Sequence, residues 1–245
     1  MTKEPKTAIV TGASRGIGAT LAKQLAADGF QVVVNYAHNG QSADNVVKAI
    51  AASGGVAVAV RADVSQSAEV KRLFDETEAA FGRVDVLVNN AGSTLVCPLK
   101  DVTDEDFQRI LAVNLFGTFY GMREAANRLP DGGRIINLST SIIGSYLPGT
   151  STYAATKGAV EAMTHTLAKE LGPRKIAVNA IAPGPTATEL FYDGLSKERV
   201  EQIISGIPMG RIGEPEDLAG IVSFLAGPQS GWVSGQVIKV NGGRN

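Results

Sequence analysis

A single cysteine in 245 residues, Cys97, leaves no partner for an internal disulfide and too few thiols for a cysteine-ligated metal. Two histidines, His38 and His165, argue in the same way against a histidine-rich metal centre. Charge of either sign is not in excess: 23 basic residues face 24 acidic ones, with no block of one sign. The near-zero balance gives no reason to expect nucleic acid or an anionic membrane as a partner. No 18 consecutive apolar residues occur, and MTKEPKTAIV passes into a short apolar run without a signal-peptide core. Linkers, internal repeats and low-complexity tracts are absent as well. These gaps leave the expectation of a water-soluble, cytoplasmic protein of one domain, a length that α/β folds commonly reach as one unit.

What is present alternates. Short apolar, β-branched segments at 7–11, 31–35, 56–61, 84–89, 133–139, 175–181 and 236–240 read as strands, several too continuously apolar for a sheet with one wet face. Between them 17–28, 41–53, 67–80, 104–128, 153–171 and 215–226 carry apolar residues at helical spacing. The alternation predicts a Rossmann-type, doubly wound α/β fold: a seven-stranded parallel sheet with helices on both faces and right-handed crossovers. The exception is residues 185–213, bounded by Gly and Pro, which we read as a mobile lid over a substrate pocket.

TGASRGIG, 11–18, follows the first strand and opens the first helix. Its glycines permit a sharp turn and close backbone approach, while the helix start offers unpaired N–H groups to a pyrophosphate. At the end of the second strand Asn35, Tyr36 and Ala37 stand where a carboxylate would repel a ribose 2′-phosphate, and Arg15 offers that phosphate a guanidinium. The pattern favours NADP(H) over NAD(H). Asp63 suits either an adenine contact or a turn.

Four motifs, TGASRGIG at 11–18, NNAG at 89–92, STSIIG at 139–144 and YAATK at 153–157, give the whole chain a resemblance to the short-chain dehydrogenase/reductase family. It is similar in particular to 3-oxoacyl-carrier-protein reductase-like carbonyl reductases. The resemblance implies a cofactor loop of Gly12, Ser14, Arg15, Gly16, Ile17 and Gly18, an adenine-side pair Asp63 and Val64, and a cofactor-lining Asn90, Ala91 and Gly92. It implies contacts to the nicotinamide from Pro183, Gly184 and Thr186 or Thr188. Catalytic roles fall to Asn114, Ser141, Tyr153 and Lys157. Ser141 is preferred because the family's segment reads serine, two variable residues, glycine, with Ser139 and Thr140 as its neighbours. A homotetramer, paired through the helices near 104–128 and 153–171 and through the last strand region, is also implied.

The residues themselves support a proton-transfer chemistry. Tyr153 and Lys157 lie at i and i+4 on one helix face, so the ammonium is expected to lower the phenol's pKa from about 10. Tyr153 would exchange the proton with a carbonyl or alcohol substrate, Ser141 would hold its oxygen, and Lys157 would bind the cofactor ribose as well. Asn114 would link Lys157 to solvent, and no metal is needed. Leu95, Val96, Tyr146, Leu147, Phe191, Tyr192 and Met209 are candidate pocket walls. The expected activity is NADPH-dependent ketone reduction. Alternatives are a 3-oxoacyl-carrier-protein reductase, marked by a basic patch from Arg123, Arg128, Lys197, Arg199 and Arg211, a polyol or sugar dehydrogenase, and a non-catalytic nucleotide-binding protein.

Overall fold

The computed structural model describes residues 5–245. Seven strands form one sheet: β1 (Thr7–Val10), β2 (Gln31–Tyr36), β3 (Val56–Arg61), β4 (Val86–Asn89), β5 (Arg134–Leu138), β6 (Ala177–Pro183) and β7 (Val237–Val240). Their spatial order is β3-β2-β1-β4-β5-β6-β7, and every pairing is parallel. The expected seven-stranded, doubly wound sheet is the observed one. Strands β1, β4 and β5 are buried along their whole length, which is why their sequences are continuously apolar rather than alternating.

Successive side chains still divide between the two faces. Ala8 and Val10 join Val32, Val34 and Val88 in a core beneath α1 (Gly16–Ala27), α2 (Gly40–Ala52) and α10 (Pro215–Ala226). Ile9, Val33 and Leu87 point the other way, into a core with α3 (Ser67–Phe81), α5 (Gly117–Arg128) and α7 (Ser151–Leu171). Local signals fix the helix ends: Gly82 closes α3 at φ 83°, and Glu214 with Asp217 forms a capping box at the start of α10.

Two elements depart from the sequence pattern. The helix expected over 104–128 is divided into α4 (Asp104–Leu111), a π-turn at Ala112–Phe116 and α5. After β5 comes a four-residue helix, α6 (Ile142–Ser145), kinked at Ile143 and Gly144. The 185–213 segment contains two short helices, α8 (Glu189–Tyr192) and α9 (Lys197–Ser205). Because β1 lies between β2 and β4, the chain leaves the sheet in opposite directions there, opening a crevice at the strand ends.

Candidate active site

The glycine loop crosses the mouth of that crevice. Gly12 has φ +62°, and a methyl group on it would sit 2.9 Å from the Ala91 Cα, so both conformation and space demand glycine. Asn90 Nδ2 donates to the carbonyls of Thr11 and Gly12 at 2.8 and 3.1 Å, while the N–H groups of Asn90 and Ala91 donate to Thr11 Oγ1. NNAG thereby clamps the end of β4 to the loop after β1. At the start of α1 no side chain caps the helix and no acidic residue occupies the first turn. Free N–H donors and the helix dipole consequently favour an anion here, and the close-packed glycines fit a dinucleotide's phosphates.

Several residues assigned to the cofactor have other work. Asn35 is 1% exposed; its Oδ1 accepts from the Gly12 N–H, and its Nδ2 donates to the Val60 and Ala62 carbonyls. It shapes the loop from behind rather than facing a ribose, because all of its buried polar atoms had to be satisfied within the sheet. Asp63 Oδ1 accepts from the Ser65 N–H, the turn role left open by the sequence. Val64 is buried, and a Cβ on Gly117 would press into it. The Ala37 carbonyl accepts from Arg61 Nε, and the Tyr36 ring lies against Gly40. Arg15 is exposed and ion-paired at 3.3 Å with Glu189 of α8.

At the other end of the crevice, α7 turns Thr152, Thr156, Lys157, Val160 and Thr164 inward, at spacings that keep one face buried. Lys157 Nζ donates to the Leu138 carbonyl at 2.7 Å, and burial pulls its pKa down to about 8. Burial pushes the Tyr153 phenol up, opposed in part by a hydrogen bond with the Thr140 side chain. This reverses the expected shift: desolvation is the dominant cause, leaving a phenol that is protonated at neutral pH. The hydroxyl meeting Tyr153 is Thr140's, 13 positions before it. Ser139 is drawn away by Glu161 at 2.5 Å, and buried Ser141 follows Thr140 along the same pocket wall.

Asn114 lies in the π-turn, fully buried. Its Oδ1 accepts from the Ser93 N–H, and its Nδ2 donates to the Ser93 carbonyl and to Thr156 Oγ1. A Cβ placed on Gly92 would lie 3.3 Å from Asn114 Oδ1 and 3.5 Å from Lys157 Nζ, so these three positions converge.

A cleft of about 560 Å³ joins these groups. Ile17, Asn90 and Gly92 line it on the loop side; Ser14, Arg15, Gly16 and Gly18 do not. Thr140, Ser141, Tyr153 and Lys157 line its floor, and Pro183, Gly184, Thr186 and Thr188 its far wall. Thr186 Oγ1 donates to the Gly184 carbonyl, whereas Thr188 Oγ1 caps α8 by accepting from the Phe191 N–H. Val96, Leu147 and Phe191 form apolar walls as expected, but Leu95, Tyr146, Tyr192 and Met209 lie off the cleft, Tyr146 and Met209 being 69% and 74% exposed. Leu190, Leu195 and Ile203 complete the apolar lining, and Arg244 reaches it from the last β-strand's tail. No periodicity or motif in the sequence marks Arg244. Of the five residues offered as a basic patch, Arg199 lines the cleft; Arg128 pairs with Asp75, Glu78 and Glu124, and Arg211 with Asp217. Arg123 stacks over Phe119 and Tyr120. Among the described residues no cluster of three or more metal-ligating side chains occurs, and no helix is long and apolar enough to cross a membrane.

The chain's relationships agree with this geometry. The family described as enoyl-(acyl carrier protein) reductase matches residues 12–245. A short-chain type dehydrogenase/reductase from Picea abies is 43% identical, covering 98% of this chain and 92% of its own. The structure of a short-chain dehydrogenase/reductase from Serratia marcescens superposes with a TM-score of 0.94 at 37% identity, covering 98% and 97% of the two chains. A blue fluorescent protein from a metagenomic library, solved in complex with NADPH, does so at 0.92 and 37%, with the same coverage. On that identity and fold likeness over nearly its whole length, the chain belongs to the short-chain dehydrogenase/reductase family.

Proposed function

We propose that this oxidoreductase uses NADP(H) to reduce a ketone to a secondary alcohol, reversibly, with Tyr153 as proton donor. The observation that carries the reading is that Tyr153 and buried Lys157 line one cleft that begins at the glycine loop. NADPH in the related blue fluorescent protein supports the choice of cofactor, as do the lack of a carboxylate at the end of β2 and the exposed Arg15. The loop, the start of α1, Asn90 to Gly92 and the 183–188 wall would hold the dinucleotide, which supplies the hydride when bound.

The chain's residues do the rest. Thr140 and Ser141 offer hydroxyls to orient the substrate oxygen beside Tyr153. The phenol, protonated because burial disfavours the phenolate, donates to the oxygen as negative charge develops there. Lys157, with a pKa of about 8, supplies the replacement proton and the positive potential, and Asn114 holds the wall behind it. In the oxidative direction Tyr153 must first lose its proton, so that direction is favoured by alkaline pH. The 185–213 segment acts as a lid that excludes water from this exchange, and the working unit is a homotetramer.

The test is NADPH and NADH oxidation, side by side, over 3-oxoacyl thioesters, β-keto esters, aryl ketones, diketones and sugars. Turnover that prefers NADPH and falls about 100- to 10,000-fold in Tyr153→Phe is expected. Tight cofactor binding without turnover in either protein would reject it.

A further inference from the structure

Arg244 is a charged side chain of the cleft for which the proposed proton transfer has no use, and it forms no ion pair among the described residues. Its Nη1 is sealed from solvent and has no hydrogen-bond partner. A buried guanidinium donor in that state is costly, and native interiors rarely leave one so. The tail that carries it is held firmly: Asn245 Nδ2 donates to the Ser141 carbonyl at 2.5 Å and to Ser145 Oγ at 2.8 Å, and also receives no room to shift from Gly144, where an added Cβ would lie 3.1 Å from it. Arg244 is therefore fixed beside the loop that bears Ser141, in the substrate half of the cleft rather than at the glycine loop.

The other charges of the cleft set the sign of what it takes. Lys157 donates to the neutral Leu138 carbonyl and keeps its charge, so Lys157, Arg199 and Arg244 stand against Asp193 alone. The positive surplus suits an anion, and a guanidinium's paired N–H donors match the two oxygens of a carboxylate. Apolar side chains of Leu147, Leu190, Phe191, Leu195 and Ile203 line the same cleft and suit an aliphatic or aryl spacer. We infer that Arg244 is a substrate-anchoring residue and that the ketone reduced here carries a carboxylate. This rests on the ketone-reductase reading above and narrows it to oxo acids.

The experiment compares 4-oxopentanoate, 5-oxohexanoate and 6-oxoheptanoate with their methyl esters, at saturating NADPH, in wild type, Arg244→Gln and Arg244→Lys. The wild type should prefer at least one acid to its ester. In Arg244→Gln the acid-to-ester ratio of kcat/KM should fall about 10- to 100-fold, carried by KM, with partial recovery in Arg244→Lys. Wild-type preference for every ester, or an equal loss on acid and ester, would overturn the inference. So would a weakened NADPH affinity at an unchanged ratio, which would give the arginine to the cofactor. Turnover of neutral ketones that depends on Tyr153 keeps the reductase reading intact in those cases. Calorimetry of hexanoate and hexanamide on the NADPH-loaded wild type needs neither variant nor turnover: the carboxylate should bind about 10-fold more tightly, and equal binding overturns the inference.

Discussion

Lys157 holds its charge against its surroundings, and that gives it a signature in stability. Its pKa falls from 10.5 in the unfolded chain to about 8 in the folded one because burial penalises the ammonium. Below pH 8 both states are protonated and folding bears the full penalty, roughly 3 kcal/mol. Between pH 8 and 10.5 the folded state has released the proton while the unfolded state keeps it, so stability rises with pH. Above pH 10 Tyr153 adds a contribution of its own: its raised pKa makes the folded state the better proton holder, but only after the unfolded phenol has begun to ionise. That term also stabilises the unfolded state progressively and opposes the lysine's. Urea midpoints of the cofactor-free protein should therefore climb between pH 8 and 9.5, and Lys157→Met should remove the climb. A flat wild-type profile would show that the ammonium is solvated. Two further residues separate by substitution. Thr140→Val removes the hydroxyl that meets Tyr153 and should lower kcat about 10-fold or more, whereas Ser141→Ala, one position further along the wall, should cost less. The reverse order would return the role to the serine that the S-x-x-G pattern selects. If Arg15 answers the 2′-phosphate as proposed, Arg15→Ala should raise KM for NADPH about 10-fold with a far smaller effect on NADH.

Elements show where sequence periodicity suffices and where it fails. The apolar runs located all seven strands, since a parallel sheet buried on both faces leaves few other uses for TAIV or VLVN. The strand before NNAG begins at Val86 rather than 84 because Asp85 turns its carboxylate to the Thr7 N–H and Arg83. The π-turn at Ala112–Phe116 was invisible because a local change from i,i+4 to i,i+5 bonding leaves the apolar spacing of 104–128 almost unaltered. Its effect is nonetheless local and chemical: it sets Asn114 where one amide can satisfy both Ser93 backbone groups. Thr140 was legible only as a neighbour of Ser141, since the identity of the residue facing Tyr153 depends on how the chain leaves β5, not on spacing. Arg244 depends on the tail folding back across the sheet, for which sequence carries no local signal. The 185–213 segment makes its own prediction. Its base is closed by backbone bonds between Pro185, Ala187 and Gly213, while α8 is tied to the glycine loop by the exposed Arg15–Glu189 pair. Exposed pairs contribute little. Hydrogen exchange should be fast over 189–205 in the free protein and slow with NADPH bound, and protection equal to the sheet's in both states would rule out a lid.

At the scale of the whole molecule, several large apolar side chains stand exposed. Phe107, Phe116 and Phe119 are 41%, 44% and 43% exposed along α4, the π-turn and α5, and Trp232, before β7, is fully exposed. Scattered apolar residues are ordinary, but Phe116 and Phe119, one helical turn apart on one face, are of the kind that subunit contacts cover. The two regions coincide with the helix pair and the last-strand region through which the family resemblance implies assembly. Closed assemblies built from two such self-complementary patches reach four copies with twofold symmetry. Light scattering should then report four copies of the 25.5 kDa chain at micromolar concentration. Phe116→Asp with Phe119→Asp should reduce the mass to that of a dimer, as should Trp232→Asp, each leaving the other patch in place. A stable wild-type monomer would reject the assembly. Because Phe116 belongs to the same π-turn as Asn114, the dimer made by the helix-face variant should also lose activity, whereas the Trp232 dimer, altered far along the chain from that turn, should retain more of it.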